Sequence, residues 1–312
     1  MKLLICITIL SACFTKSFSQ KLFGQKNTIE VTQKWFFESS AFKKNDRKEI
    51  NVFDKNGQLI RHIQFGFIHN ADINLIGEIT NYDYQNNKLV SRKTYSDDDH
   101  FYKNQFEFYW DYVYNNKSKV SRINSNHTDY VYSYDTKNKT VEWVTTAVWD
   151  SNTRKYFVKY NKDNFILEES EYGLWTKKYA REKDTINIVE YFYRQNDTVK
   201  TYSKEAYSKG KIVYESENGY GITTKKYSYF DNGRLKTLLK RVSDETIRDY
   251  KTEYTYYATG IIKQIQEYEL ENDHWTLKQR TDFEVNGNLS ILSKKEKIRI
   301  NETLILSTKN WL

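Results

Sequence analysis

The chain has 312 residues, room for one large domain or two small ones; 38% are hydrophobic and 16% aromatic, with Tyr alone supplying 27. That is leaner than the roughly 45–50% apolar content of an average domain, which excludes a thick aliphatic core and favours a half-exposed sheet, where Tyr lays its ring on the strands and keeps its hydroxyl in water. The net charge of +8 is spread among interleaved acids, as in Lys240-Arg241-Val242-Ser243-Asp244-Glu245, which excludes the concentrated basic face of a nucleic-acid binder.

The N-terminus reads as a signal peptide. Lys2 starts it, Leu3 to Phe14 form a short apolar stretch, and Ser17-Phe18-Ser19 is a small-x-small cleavage site before Gln20. An alternative boundary lies at residues 1–12, because Leu10-Ser11-Ala12-Cys13 is similar to a bacterial lipobox, whose Cys would carry a lipid anchor. Both cysteines, Cys6 and Cys13, fall in this segment, so the soluble mature chain would have no disulfide. Removing residues 1–19 deletes two lysines and no acid, taking the charge from +8 to +6. No later apolar run is long enough for a transmembrane helix.

Residues 20–47 form an N-terminal segment. A short helix over Asn27 to Lys44 is one reading, but the β-branched Thr28, Ile29, Val31 and Thr32 favour a strand. From residue 48 to 312 the sequence repeats. Val52-Phe53-Asp54-Lys55-Asn56-Gly57-Gln58-Leu59 is followed by Tyr82-Asp83-Tyr84-Gln85-Asn86-Asn87-Lys88-Leu89, and looser copies centre on Ser118, Asn138, Asn164, Asp197 and Gly210. The clearest are Tyr227-Ser228-Tyr229-Phe230-Asp231-Asn232-Gly233-Arg234-Leu235, Tyr254 to Ile262, and Thr281 to Leu289. In these three, Gly233, Gly260 and Gly287 recur every 27 residues, in phase with Tyr229, Tyr256 and Phe283. Aromatics two apart share one strand face, and the Asn or Gly step tolerates the positive φ of a hairpin turn. Each unit therefore reads as strand, tight turn, strand, and the absence of proline suits a run of paired strands.

The aromatic-x-aromatic, polar turn, Gly-Arg-Leu layout of Tyr227 to Leu235 resembles the YD repeat of the RHS family. The resemblance implies a long antiparallel ribbon that spirals into a shell. It covers residues 48–292 loosely and three units well. Tyr-Asp pairs occur only at Tyr82-Asp83 and Tyr134-Asp135, most turns lack the Arg, and no toxin module follows. The chain also resembles exported Bacteroidetes proteins whose short β-repeats are akin to MORN-like antitoxin repeats. The expectation is an all-β protein: one extended, twisted antiparallel hairpin sheet, curled on itself at most and almost without helix.

No catalytic motif stands out. His62, His69, His100, His127 and His274 have no zinc spacing. Asp97-Asp98-Asp99-His100 lacks the alternating ligands and Gly of a calcium loop and reads as a solvated loop. Glu168, Glu169 and Glu171 read as a charged strand edge. Four tryptophans, Trp110, Trp143, Trp149 and Trp175, fall where the repeat is least regular and are the candidate binding surface. The sequence points to a non-enzymatic exported protein with no cofactor. Its partner would be an envelope glycan or protein, met in the periplasm, at the outer membrane surface or outside the cell. The competing expectation is a shell fragment or antitoxin-like partner in a polymorphic-toxin setting.

Overall fold

The computed structural model describes residues 28–37, 47–65, 76–97, 100–101, 103–149, 151–194, 197–218 and 221–309. The signal segment, both cysteines and His69 lie outside them. Twenty strands follow in order: β1 (Ile29–Phe37), β2 (Arg47–Phe53), β3 (Leu59–Phe65), β4 (Ile76–Gln85), β5 (Lys88–Tyr95), β6 (Phe108–Tyr114) and β7 (Val120–Ser125). Then come β8 (Thr128–Asp135), β9 (Thr140–Ala147), β10 (Thr153–Tyr160), β11 (Ile166–Glu171), β12 (Trp175–Glu182), β13 (Thr185–Arg194) and β14 (Asp197–Ser208). The last are β15 (Lys211–Asn218), β16 (Ile222–Tyr229), β17 (Leu235–Ser243), β18 (Ile247–Tyr256), β19 (Ile262–Glu271) and β20 (His274–Asn286). A 3-10 turn, Leu289–Ile291, leads into α1 (Lys294–Lys309).

Every strand pairs antiparallel with its neighbours in sequence, and β20 returns to pair with β1, placing Gln33 opposite both Phe283 and Glu49. The expected extended or curled sheet is therefore a closed barrel. Accumulated strand twist brings the ends together, and closure removes both unpaired edges at once. Glu168, Glu169 and Glu171 consequently lie on a strand bonded on both sides, not on an edge.

The expectation of a chain almost without helix fails at α1. Ser293 and Glu296 form a reciprocal cap: the Glu296 N–H donates to Ser293 Oγ at 3.3 Å, and the Ser293 N–H donates to Glu296 Oε2 at 2.6 Å. Ile300 and Leu304, four apart, then face one way and are fully buried. They pack on Ile29, Val31, Phe53, Ile265 and Phe283. α1 also shares clefts with hairpins from β15 on one flank to β5 on the other. That arc is eleven strands, about 50 Å along the sheet, whereas a 16-residue helix is about 24 Å long. Only the concave side lets it reach both flanks, so the face beneath α1 is the inner one.

The register carries that face round the barrel. It runs from Asn51 through His62 and Thr80 to Thr94, and, one step along each strand, from Tyr82 through Arg92 to Trp110. The outer face alternates with it and carries cross-strand pairs such as Lys34–Glu284, Arg122–Asp129 and Arg241–Asp249. Lys155, Lys159, Lys178, Lys200 and Lys204 also point outward by this register. Among the described residues the outer face therefore mixes charges with exposed apolar side chains such as Val113, Val131, Leu239 and Ile247. A smaller outer cluster of Ile50, Val52, Ile63, Ile79 and Tyr95 is covered by Phe101.

A tether repeats between hairpins. The hydroxyls of Tyr114, Tyr134, Tyr229 and Tyr256 donate to the carbonyls of Leu89, Val120, Ile212 and Leu235 at 2.8, 2.6, 2.7 and 3.0 Å. The residue before each of those carbonyls is a cation over the same ring: Lys88, Lys119, Lys211 and Arg234, at 5.2, 4.7, 4.9 and 5.4 Å from the centroids. Each tyrosine thus grips the hairpin before it. A bulge brings the ring into place, since the register shifts just before Tyr114, Tyr229 and Tyr256. The unit centred on Asp197 is the β13–β14 hairpin, where Asp197 pairs with Arg194 at the end of the barrel opposite Gly210.

Candidate functional site on the concave face

Three of the four tryptophans project from the inner face. Arg92 pairs across strands with Trp110, and its guanidinium lies 4.3 Å from the indole and 5.9 Å from the Tyr82 ring. Farther round, Tyr132, Trp143 and Tyr156 are cross-strand neighbours on β8, β9 and β10. Their rings form a ladder, Tyr132 to Trp143 at 6.0 Å and Trp143 to Tyr156 at 5.2 Å, the latter pair within 9° of parallel. Tyr156 pairs in turn with Glu171, and Glu171 with Trp175. The fourth, Trp149, stands at the rim in the β9–β10 turn, 68% exposed, with its edge against His127.

Trp143, Trp149, Tyr130 and Tyr156 line one concavity of about 370 Å³, joined by Thr145, Asn152 and Arg154. Arg154 is held toward Glu171 at 3.4 Å. The ladder forms because aromatic residues occupy directly opposite positions on three strands, where side chains are about 5 Å apart. Trp110 and Trp175 lie on the same face but outside this concavity. Sequence reading missed Tyr130, Tyr156 and Arg154, although the aromatic alternation Tyr130-x-Tyr132-x-Tyr134 marked the face.

Burial disfavours the phenolate at several inner tyrosines. Burial pushes Tyr82 up against the opposing pull of Arg92, raises Tyr112 and Tyr132, and takes Tyr84 up to about 12. Away from the aromatic belt, carboxylates are engaged by neighbours. Tyr179 donates to Glu169, Tyr207 to Glu205 at 2.7 Å, and Tyr227 to Glu215 at 2.9 Å. Lys177 pairs with Glu190 and Lys225 with Glu215. His62 meets Glu49 at 2.9 Å, and His100 meets Asp97 at 2.7 Å in a turn of the β5–β6 connection. Among the described residues no three acids, histidines or cysteines converge to hold a metal. The concavity offers ring faces, two threonine hydroxyls, the Asn152 amide and the Arg154 guanidinium.

No family model and no curated protein matches the chain. Among solved structures it is similar to a TcdB2-TccC3-TEV structure, with a TM-score of 0.40 and 12% identity. That match covers 80% of this chain and 14% of the other, so this chain spans a small part of that protein's length. It is also similar to a porin-like protein from Bacteroides uniformis, with a TM-score of 0.36 and 10% identity over 84% and 96% of the two chains.

Proposed function

We propose that this chain is a non-enzymatic exported barrel that binds a glycan of the cell envelope on its concave aromatic belt. The observation that carries the reading is the Trp143–Tyr156 pair, nearly parallel at 5.2 Å and open to a concavity with polar groups at its edge. A sugar ring has an apolar face that stacks on such a platform and hydroxyls that reach Asn152, Thr145 and Arg154, the mixture of apolar wall and few polar groups that ligand sites share. Twenty strands enclose more space than side chains fill, so an extended ligand fits. Closure of β20 on β1 leaves no edge for further repeats, which weighs against the shell-fragment reading.

Tryptophan fluorescence titration with soluble peptidoglycan fragments and with lipopolysaccharide core oligosaccharide tests this. Trp143→Ala, alone or with Trp149→Ala, should weaken binding at least tenfold, while Val131→Ala on the outer face should not. Equal affinity in the double variant would overturn the glycan-belt reading. Export is tested by the intact mass of the mature protein. A chain starting at Gln20 means a soluble periplasmic or extracellular protein, and an acylated Cys13 means a lipid-anchored one at the membrane surface.

A further inference from the structure

A second concavity, about 790 Å³, lies between α1 and the turns of β14–β15, β16–β17 and β18–β19. Four cations edge it: Lys211 and Arg234 from the turns, Lys294 and Lys297 from the helix; a single carboxylate, Glu302, accompanies them. Among the described residues none of these four forms an ion pair with a carboxylate, although ion pairs are common elsewhere on the barrel. Two are held in place without being neutralised. Lys211 donates to the Gly233 carbonyl at 2.8 Å and lies over Tyr229, and Arg234 lies over Tyr256. Placing fixed, unneutralised cations together costs repulsion, which an anion would relieve.

The remaining wall is apolar. Tyr229, Leu235, Tyr256 and Ile305 line it, and Ile298 projects from α1 into it while 47% exposed. With Leu235, Ile305 and the two rings, Ile298 gives this cleft an apolar wall that a ligand can cover. We propose that this cleft binds an amphiphilic phosphate, its phosphoryl group between Lys294, Lys297 and Arg234 and its apolar part against Ile298 and Leu235. The site is separate from the aromatic belt and stands or falls independently of it.

Isothermal titration with dioctanoyl phosphatidic acid, kept below its micelle concentration, tests the site, with inorganic phosphate and dioctanoyl phosphatidylcholine as comparators. Saturable binding of the phosphatidic acid is expected, more than tenfold tighter than inorganic phosphate and absent for the choline lipid. Lys294→Glu with Lys297→Glu should weaken it at least tenfold, and Ile298→Ser should weaken the lipid but not the free phosphate. Lys295→Glu, on the other flank of α1, should leave it unchanged. Among the described residues neither Lys294 nor Lys297 donates a side-chain hydrogen bond, and unchanged circular dichroism would confirm folding. Inorganic phosphate binding as tightly as the lipid would overturn the amphiphile assignment. No saturable binding, or binding unaffected by the double charge reversal, would overturn the site itself.

Discussion

Arg234 lies over the ring of Tyr256 at 5.4 Å from its centroid, and the Tyr256 hydroxyl donates a 3.0 Å bond to the carbonyl of the next residue, Leu235. The same pairing of ring, cation and next carbonyl recurs at Tyr114, Tyr134 and Tyr229. It explains chemically why a basic residue followed by an aliphatic one comes after the turn. Tyr256→Phe keeps the ring contact but orphans the carbonyl, so it should cost about 1 kcal/mol. A double-mutant cycle between Arg234→Ala and Tyr256→Ala should give a coupling of about 0.5–1 kcal/mol beyond the single losses. Additive urea-denaturation energies would show that the stacked cation contributes nothing.

Two turn glycines at the same end of the barrel should respond differently to a methyl group. Gly260 has φ +96°, and a Cβ there would lie 2.3 Å from Arg234 Nη2, whereas Gly210, with φ +74°, has open space around it. Gly210→Ala carries only the backbone strain, about 1 kcal/mol. Gly260→Ala also displaces Arg234 from Tyr256 and should cost about 1.5–2 kcal/mol by the same measurement. Its excess over Gly210→Ala should vanish in an Arg234→Ala background.

Among the side chains that tie α1 to the barrel, Asn301 reads a hairpin's backbone at two atoms. Asn301 accepts from the Ile262 N–H and donates to the Gly260 carbonyl, both at 2.8 Å, at a buried site. Asn301→Leu would leave both backbone groups without a partner, at a cost of about 2–4 kcal/mol. Hydrogen exchange should accelerate across α1 and the β18–β19 turn while β8–β12 stay protected. Uniform acceleration over the whole barrel would mean that α1 and the sheet unfold as one unit.

The sequence carried the hairpins well because their signal is local. Tyr229, Gly233 and Leu235 sit within seven residues, and turn chemistry alone orders them. Barrel closure was not legible, because the Gln33–Phe283 pairing joins residues 250 positions apart, and nothing local distinguishes a ribbon that closes from one that spirals. α1 was legible in the Ser-x-x-Glu of residues 293–296, a capping pattern that the expectation of a chain almost without helix passed over. The tryptophans were found as residue types, whereas their arrangement depended on register. Tyr156 stacks on Trp143 only because β9 and β10 align Thr146 with Thr153.

Glu267 gives the barrel a built-in dependence on pH. Burial of its carboxyl, opposed by the nearby Lys240 ammonium, raises its pKa from 4.5 to about 6. A raised acid pKa means that the folded state prefers the proton. Above pH 6 the folded barrel holds a carboxylate that the unfolded chain would solvate better, a cost of about 2 kcal/mol. The cost falls as pH drops through 6 and is gone below about 4.5, where both states are protonated. Glu267→Gln should therefore stabilise the protein by about 2 kcal/mol at pH 7.5, by less at pH 6, and not at all at pH 4. Lys240→Met removes the opposing charge, so in that background the gain at pH 7.5 should widen. Urea denaturation of the four proteins at the three pH values decides it. A Glu267→Gln effect that is constant with pH would show that this carboxyl is not the titrating group.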